Sequence, residues 1–178
     1  EYSEQLSSGN VELNSLQNQL DSVKKEKESL ETRLSQVSGA DGNNKLLTAV
    51  IKAANLYISN DSTGAAEAIA DVDVSSLPVE EAKTLYNTIS GATMMNAAND
   101  LYNRGMTAYN KADYTTAADL LVRAYKCDKT KADAVFYAAK SYVALNQPDN
   151  AKKYYQIIAD EFKSSGYVTE AQAYVQSH

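Results

Sequence analysis

A spacing of 34 residues constrains this chain more than any other feature. Gly105, Tyr109, Ala117, Leu121 and Ala124 are followed, each 34 positions later, by Ala139, Val143, Ala151, Tyr155 and Ile158. A fixed period of that size in helix-forming sequence marks stacked helical hairpins, because each repeat buries its apolar side only against its neighbours. The stretch from Asn99 to Phe162 therefore predicts a binding scaffold rather than an enzyme built around a single cleft.

Composition narrows the partners and the chemistry. The 178 residues carry a formal charge of −6 and a pI near 4.8, without a basic block, which argues against nucleic acid or an anionic membrane surface. No apolar run approaches the roughly 18 residues that a bilayer span needs, so no membrane insertion is expected within the chain. Cys127 is the single cysteine, which excludes an intramolecular disulfide and a thiolate metal site by counting, and its apolar helical setting reads as a small core residue. His178 is the single histidine and the last residue, so triad and imidazole–zinc chemistry lack their usual member. With no glycine-rich phosphate loop and no nucleophile elbow, the expectation is no catalytic residue, no metal and no cofactor. The chain begins at Glu1 rather than methionine and is read as a fragment, with a signal peptide or anchor expected upstream.

The fold class expected is all-α, with a coiled-coil helix over residues 1–38, a hinge over 39–44 and a helical repeat domain over 45–178. In the first segment, Leu6, Leu13, Leu20, Lys27 and Leu34 fall at heptad a positions. Tyr2, Gly9, Leu16, Val23, Leu30 and Val37 fall at d. So narrow a stripe does not stabilise a lone helix. Self-association through residues 2–37 is the leading expectation, carried by Leu6, Leu13, Leu16, Leu20, Val23, Leu30, Leu34 and Val37. A helix that folds back on its own chain is the alternative. Glu26 at g and Glu31 at e would face each other in a parallel dimer, which leaves orientation and copy number open. Asp21 with Lys25, and Lys27 with Glu31, are placed for i,i+4 pairs.

Ser38-Gly39-Ala40-Asp41-Gly42-Asn43-Asn44 breaks the pattern with glycines and turn formers. It lacks the alternating carboxylates and distal glutamate of a calcium loop. Beyond it, Leu46 to Ile58 and Ser62 to Val72 read as a degenerate helical hairpin, with Glu67, Asp71 and Asp73 forming a solvated edge. Leu77-Pro78-Val79-Glu80-Glu81 reads as a helix start. That helix either runs to about Asn110 or bends at Ser90-Gly91. Turns are marked at Lys111-Ala112-Asp113 and Asn146-Gln147-Pro148, giving tandem repeats over about 99–131 and 132–165 and a capping helix over about 167–176. The 13 tyrosines, against two phenylalanines, fall mostly at helix-packing spacing and read as structural.

Gly105, Tyr109, Asp113-Tyr114, Ala117 and Ala124, with Ala139, Tyr142 and Ala151, resemble the tetratricopeptide repeat family. Arg104 stands where that family prefers leucine, and Lys129 and Lys163 where it prefers proline. The resemblance implies a concave face lined by first helices, with a protein or peptide partner lying against Asn99, Tyr102, Met106, Tyr109, Asp133, Phe136, Lys140 and Val143. It gives no lysine–asparagine carboxylate clamp, because Tyr102 and Met106 occupy those places. Whether the groove is open or filled by the chain's own Lys45–Ile58 or Tyr167–Val175 segments is undecided at this level. The order of coiled coil before repeats is also similar to periplasmic proteins that coordinate envelope constriction in Gram-negative bacteria, which implies a cell-envelope setting; a cytoplasmic one is the alternative.

Overall fold

The computed structural model describes the backbone of residues 2–36 and 41–178 and the side chains of residues 10–32 and 44–178. The described chain is all-α: α1 (Tyr2–Gln36), α2 (Asp41–Ile58), α3 (Ser62–Ile69), α4 (Glu80–Asn110), α5 (Tyr114–Cys127), α6 (Ala132–Ala144), α7 (Pro148–Glu161) and α8 (Val168–Ser177). It divides into two compact units, Glu1–Thr93 and Met94–His178, with α4 contributing to both.

In the first unit α1 packs on α2, and α2 on α3. Val23 and Leu30, seven residues apart on one heptad face, are fully buried within the chain, whereas Leu13 and Leu16 stay 65% and 52% exposed and Leu20 is half-buried. This corrects the expectation that the whole stripe serves other copies: Val23 and Leu30 already belong to this chain's core. A heptad pattern specifies that a helix covers the stripe, not whose helix it is. The side chains of Leu6 and Leu34, and Val37 altogether, lie outside the described residues, as do Ser38, Gly39 and Ala40. Helix α2 begins at Asp41, so Gly42-Asn43-Asn44, expected in the hinge, form its first turn. Turn formers are tolerated there because the first N–H groups of a helix have no intrahelical acceptor to lose. Asp73 caps the 3-10 turn Val74–Ser76, accepting from the Ser75 N–H at 2.9 Å and from the Ser75 and Ser76 hydroxyls. Those hydrogen bonds hold its carboxyl below the ordinary range.

The second unit is built from the end of α4 with α5, then α6 with α7, then α8. A Cβ added at Gly105 would lie 2.8 Å from Leu121 Cγ, so α4 and α5 meet where only a hydrogen fits. Leu101, Leu121, Val135 and Ile158 are fully buried, each contributing about 1.5–3 kcal/mol through removal from water. The buried Ser141 hydroxyl satisfies itself on the Tyr137 carbonyl at 2.7 Å.

Three hairpins share one turn. In α4–α5 the Ala112 N–H donates to the Tyr109 carbonyl at 2.9 Å and the Asp113 N–H to that of Ala108 at 3.0 Å. In α6–α7 Asn146 donates to Val143 at 3.0 Å and Gln147 to Tyr142 at 2.9 Å; in α2–α3 Asn60 donates to Tyr57 at 3.0 Å and Asp61 to Leu56 at 2.8 Å. Asn60, Ala112 and Asn146 are all left-handed, with φ of 64°, 58° and 55°. This double bond with one left-handed residue is the Schellman cap, which satisfies the last helical carbonyls and reverses the chain. Asp61 and Asp113 then accept from the N–H three residues on, at 2.8 and 3.2 Å, starting α3 and α5. Pro148 begins α7, where its missing N–H costs nothing.

Candidate partner-binding face

The first-helix face of the second unit is formed by α4 from Asn99 to Tyr109, by α6 from Asp133 to Val143, and by the start of α8. Asn99 is exposed, and its amide oxygen accepts from Lys131 Nζ at 2.8 Å. That ammonium lies 5.5 Å from the centre of the Tyr102 ring, within cation–π range. Tyr102, Met106 and Tyr109 are each half-buried. Tyr109 makes edge contacts with Tyr114 at 5.5 Å and Tyr137 at 5.2 Å. These are the offset geometries that ring quadrupoles prefer.

On α6, Asp133 is exposed and accepts a hydrogen bond from the Tyr167 phenol. Phe136 is only 5% exposed, because Tyr167 stacks on it at 4.1 Å with a 14° interplanar angle and Tyr155 meets it edge-on at 6.1 Å. Lys140 Nζ sits 3.5 Å from Glu170 and 5.3 Å from the Phe136 ring centre. Val143 remains 43% exposed. Of the eight predicted face residues, α6 neighbours therefore flank Asn99, Tyr102 and Tyr109, while Phe136 and Lys140 are occupied by the chain's own Tyr167 and Glu170. The Tyr167–Val175 segment thus covers the Phe136 end of the face.

Burial first, and then the hydrogen bond to Asp133, push the Tyr167 phenol up to about 12. Burial, followed by the Asp133 charge and Tyr137, raises Tyr102 as well. Both of these phenols stay protonated at physiological pH. The arrangement offers ring faces, a thioether, hydroxyls and one carboxylate, which is the chemistry of contact area with adaptable hydrogen bonding.

Lys131, Tyr137, Tyr167 and Glu170 were not among the residues expected on this face. A third pass of the 34-residue period would have found two of them: Tyr167 follows Asn99 and Asp133, and Glu170 follows Tyr102 and Phe136. Elsewhere tyrosines serve packing: Tyr125 is buried with its hydroxyl on Glu161 at 3.0 Å, and Tyr142 stacks on Tyr154 at 5.5 Å. Cys127 is buried.

The other predicted site divides along α1. Residues 10–19 are exposed throughout, and the helix becomes covered only from Leu20 onward. A cleft of about 810 Å³ lies between the polar side of α1, including Asn14, Ser15, Asn18 and Ser22, and Thr88, Gly91 and Ala92 of α4. Leu13 and Leu16 do not line it. Among the described residues no group of three His, Cys, Asp or Glu is placed to hold a metal, and no helix is long and apolar enough to cross a membrane. Comparison with protein-family models, with curated proteins and with solved structures gives no match.

Proposed function

We propose that this chain is a non-catalytic interaction scaffold of tetratricopeptide-like build, whose α4–α6 face holds a protein or peptide and whose α1 gathers copies. The observation that supports it most is the half-buried strip Tyr102–Met106–Tyr109, flanked by the Lys131 ammonium and the Asp133 carboxylate. Tyrosine and methionine give large contact area at low ordering cost. Copies joined through α1 would present several such faces and gain avidity. A cell-envelope setting belongs to this proposal on the resemblance in domain order alone.

The test is selection of displayed peptides on the full chain, with Tyr102→Ala and Met106→Ala as counter-targets. Peptides that bind the parent and lose at least about tenfold on both variants, equivalent to about 1.4 kcal/mol, support the face as a binding site. Peptides indifferent to both substitutions, or no enrichment at all, remove it. A second reading is favoured by Phe136 lying beneath Tyr167: a structural spacer whose face is filled by its own α8. It predicts instead that Tyr102→Ala destabilises the fold by about 2 kcal/mol or more while no peptide is selected.

A further inference from the structure

Helix α4 contributes to both compact units, and their division falls between Thr93 and Met94. Its large core side chains stand on either side of that point. Leu85 and Ile89 are fully buried before it and Leu101 after it, whereas of residues 90–96 only Thr93 is buried. Most helical stability in a folded protein comes from the packing of an apolar face, so these two turns rely on their intrinsic propensity instead. That propensity is low. Ser90-Gly91-Ala92-Thr93-Met94-Met95-Asn96 contains serine, threonine, asparagine and, at its start, glycine, the weakest helix former after proline.

Packing gives no reason for a glycine at position 91. Gly105, farther along the same helix, is held to a hydrogen by Leu121, but a Cβ added at the exposed Gly91 would meet nothing within 4 Å. The methyl that would strengthen the helix is missing where there is room for it. The carbonyls of the same turn also have second donors. Thr93 Oγ1 donates to the Ile89 carbonyl at 2.7 Å, and Ser90 Oγ to the Asn87 carbonyl at 3.2 Å. In the helical i→i−4 pattern those carbonyls take the Thr93 and Gly91 N–H groups. When the two N–H bonds open, each carbonyl keeps a hydroxyl, which lowers the cost of opening. Hydroxyls bonded in this way bend helices, and Gly/Ser pairs are a recognised cause of sharp kinks. The cleft of about 810 Å³ beside Thr88, Gly91 and Ala92 leaves that side of the helix unobstructed.

We propose that α4 is jointed at residues 90–96: this segment opens locally while the helix on either side stays formed, and the two units reorient about it. A hinge of this kind confines the backbone change to a few residues. The inference stands apart from the scaffold reading and does not need it. The experiment is native-state amide hydrogen exchange on the full chain, read residue by residue by nuclear magnetic resonance. Amides of residues 91–96 should be at least about tenfold less protected than those of residues 85–89 and 101–105. Gly91→Ala, which adds a methyl into open space, should raise their protection about two- to fivefold, the difference between alanine and glycine in a helix interior. Uniform protection along α4 would overturn the local opening, and protection that Gly91→Ala leaves unchanged would overturn the part given to Gly91. Reorientation is read from the distance distribution between spin labels at the exposed positions Lys52→Cys and Thr169→Cys, with the buried Cys127 left in place. Gly91→Ala should narrow that distribution and Ala92→Gly should widen it. A distribution that neither substitution moves would overturn the joint.

Discussion

Tyr102 and Phe136 stand 34 residues apart at the same place on successive first helices, yet one is half-buried and the other only 5% exposed. The cause lies one repeat further on. Beside Tyr102 the following helix supplies Asp133, a short carboxylate that leaves the ring open; beside Phe136 the equivalent residue is Tyr167, a ring that stacks flat at 4.1 Å. In a stack of hairpins the character of a face position is set by its own side chain and by the side chain one period later. The first repeat presents its ring and the second seals it.

The largest expected consequence is in stability. Phe136→Ala should cost about 3–5 kcal/mol, because the cavity is walled by Tyr155 and Tyr167 and cannot fill with solvent. Tyr102→Ala should cost about 1 kcal/mol, the ordinary value for a partly exposed side chain. Urea melts of both variants measure the difference, and equal losses would break the contrast. A second contrast lies at Gly105 and Ala139, again equivalent by the period. Repeat two accommodates a buried methyl there, whereas a methyl at Gly105 already presses on Leu121. Gly105→Leu should therefore overpack the α4–α5 hairpin at about 1–3 kcal/mol. An unchanged melting temperature would show that Gly105 is packed no more tightly than Ala139 and would break this contrast.

These contrasts also mark how far the sequence could be read. The hairpins of the second unit were legible because small residues at Gly105, Ala117, Ala139 and Ala151 recur with the period and turn residues lie between them. Ala112 was not legible as left-handed, since alanine carries no preference for positive φ; the hydrogen-bonded cap imposes it. Gly42 and Asn43 read as a hinge because propensity is local, whereas their place in the first turn of α2 depends on which N–H groups need acceptors. The split in α1 was invisible for a different reason: Leu16 and Val23 occupy the same heptad position, and only the folded chain shows that the second is buried and the first exposed.

Exchanging the determining residue sharpens the comparison. Asp133→Tyr puts in the first repeat the ring that Tyr167 supplies in the second; its stacking on Tyr102 should add about 0.5–1.5 kcal/mol, against which stands the lost acceptor of the Tyr167 phenol at about 0.5–1.5 kcal/mol, so stability should stay within about 1 kcal/mol of the parent. The substitution should also reduce the capture of any peptide selected on the parent chain. A folded variant with undiminished binding would show that the ring of Tyr102 is not the contact surface.

The smallest effect belongs to Glu170, the period-equivalent of both rings. It accepts from the Tyr155 phenol at 3.2 Å and lies 3.5 Å from Lys140 Nζ. A half-exposed ion pair contributes about 0–1 kcal/mol, and glutamine keeps an acceptor for the phenol, so Glu170→Gln should change stability at neutral pH by less than about 0.5 kcal/mol. The lost charge shows in alkali. Burial first, and then the Glu170 carboxylate, hold Tyr155 above the ordinary tyrosine value of 10.0. A raised folded-state pKa means that the neutral phenol's stabilisation is intact below pH 10 and is lost as pH rises through the folded value. Glu170→Gln leaves burial in place and removes the charge, which lowers that folded value part of the way and shrinks the total alkaline loss. The stability gap between parent and variant should therefore narrow above pH 10, with the last phenol to titrate in the near ultraviolet moving to lower pH. A near-ultraviolet titration that does not move would mean that Glu170 acts through Lys140 rather than on Tyr155.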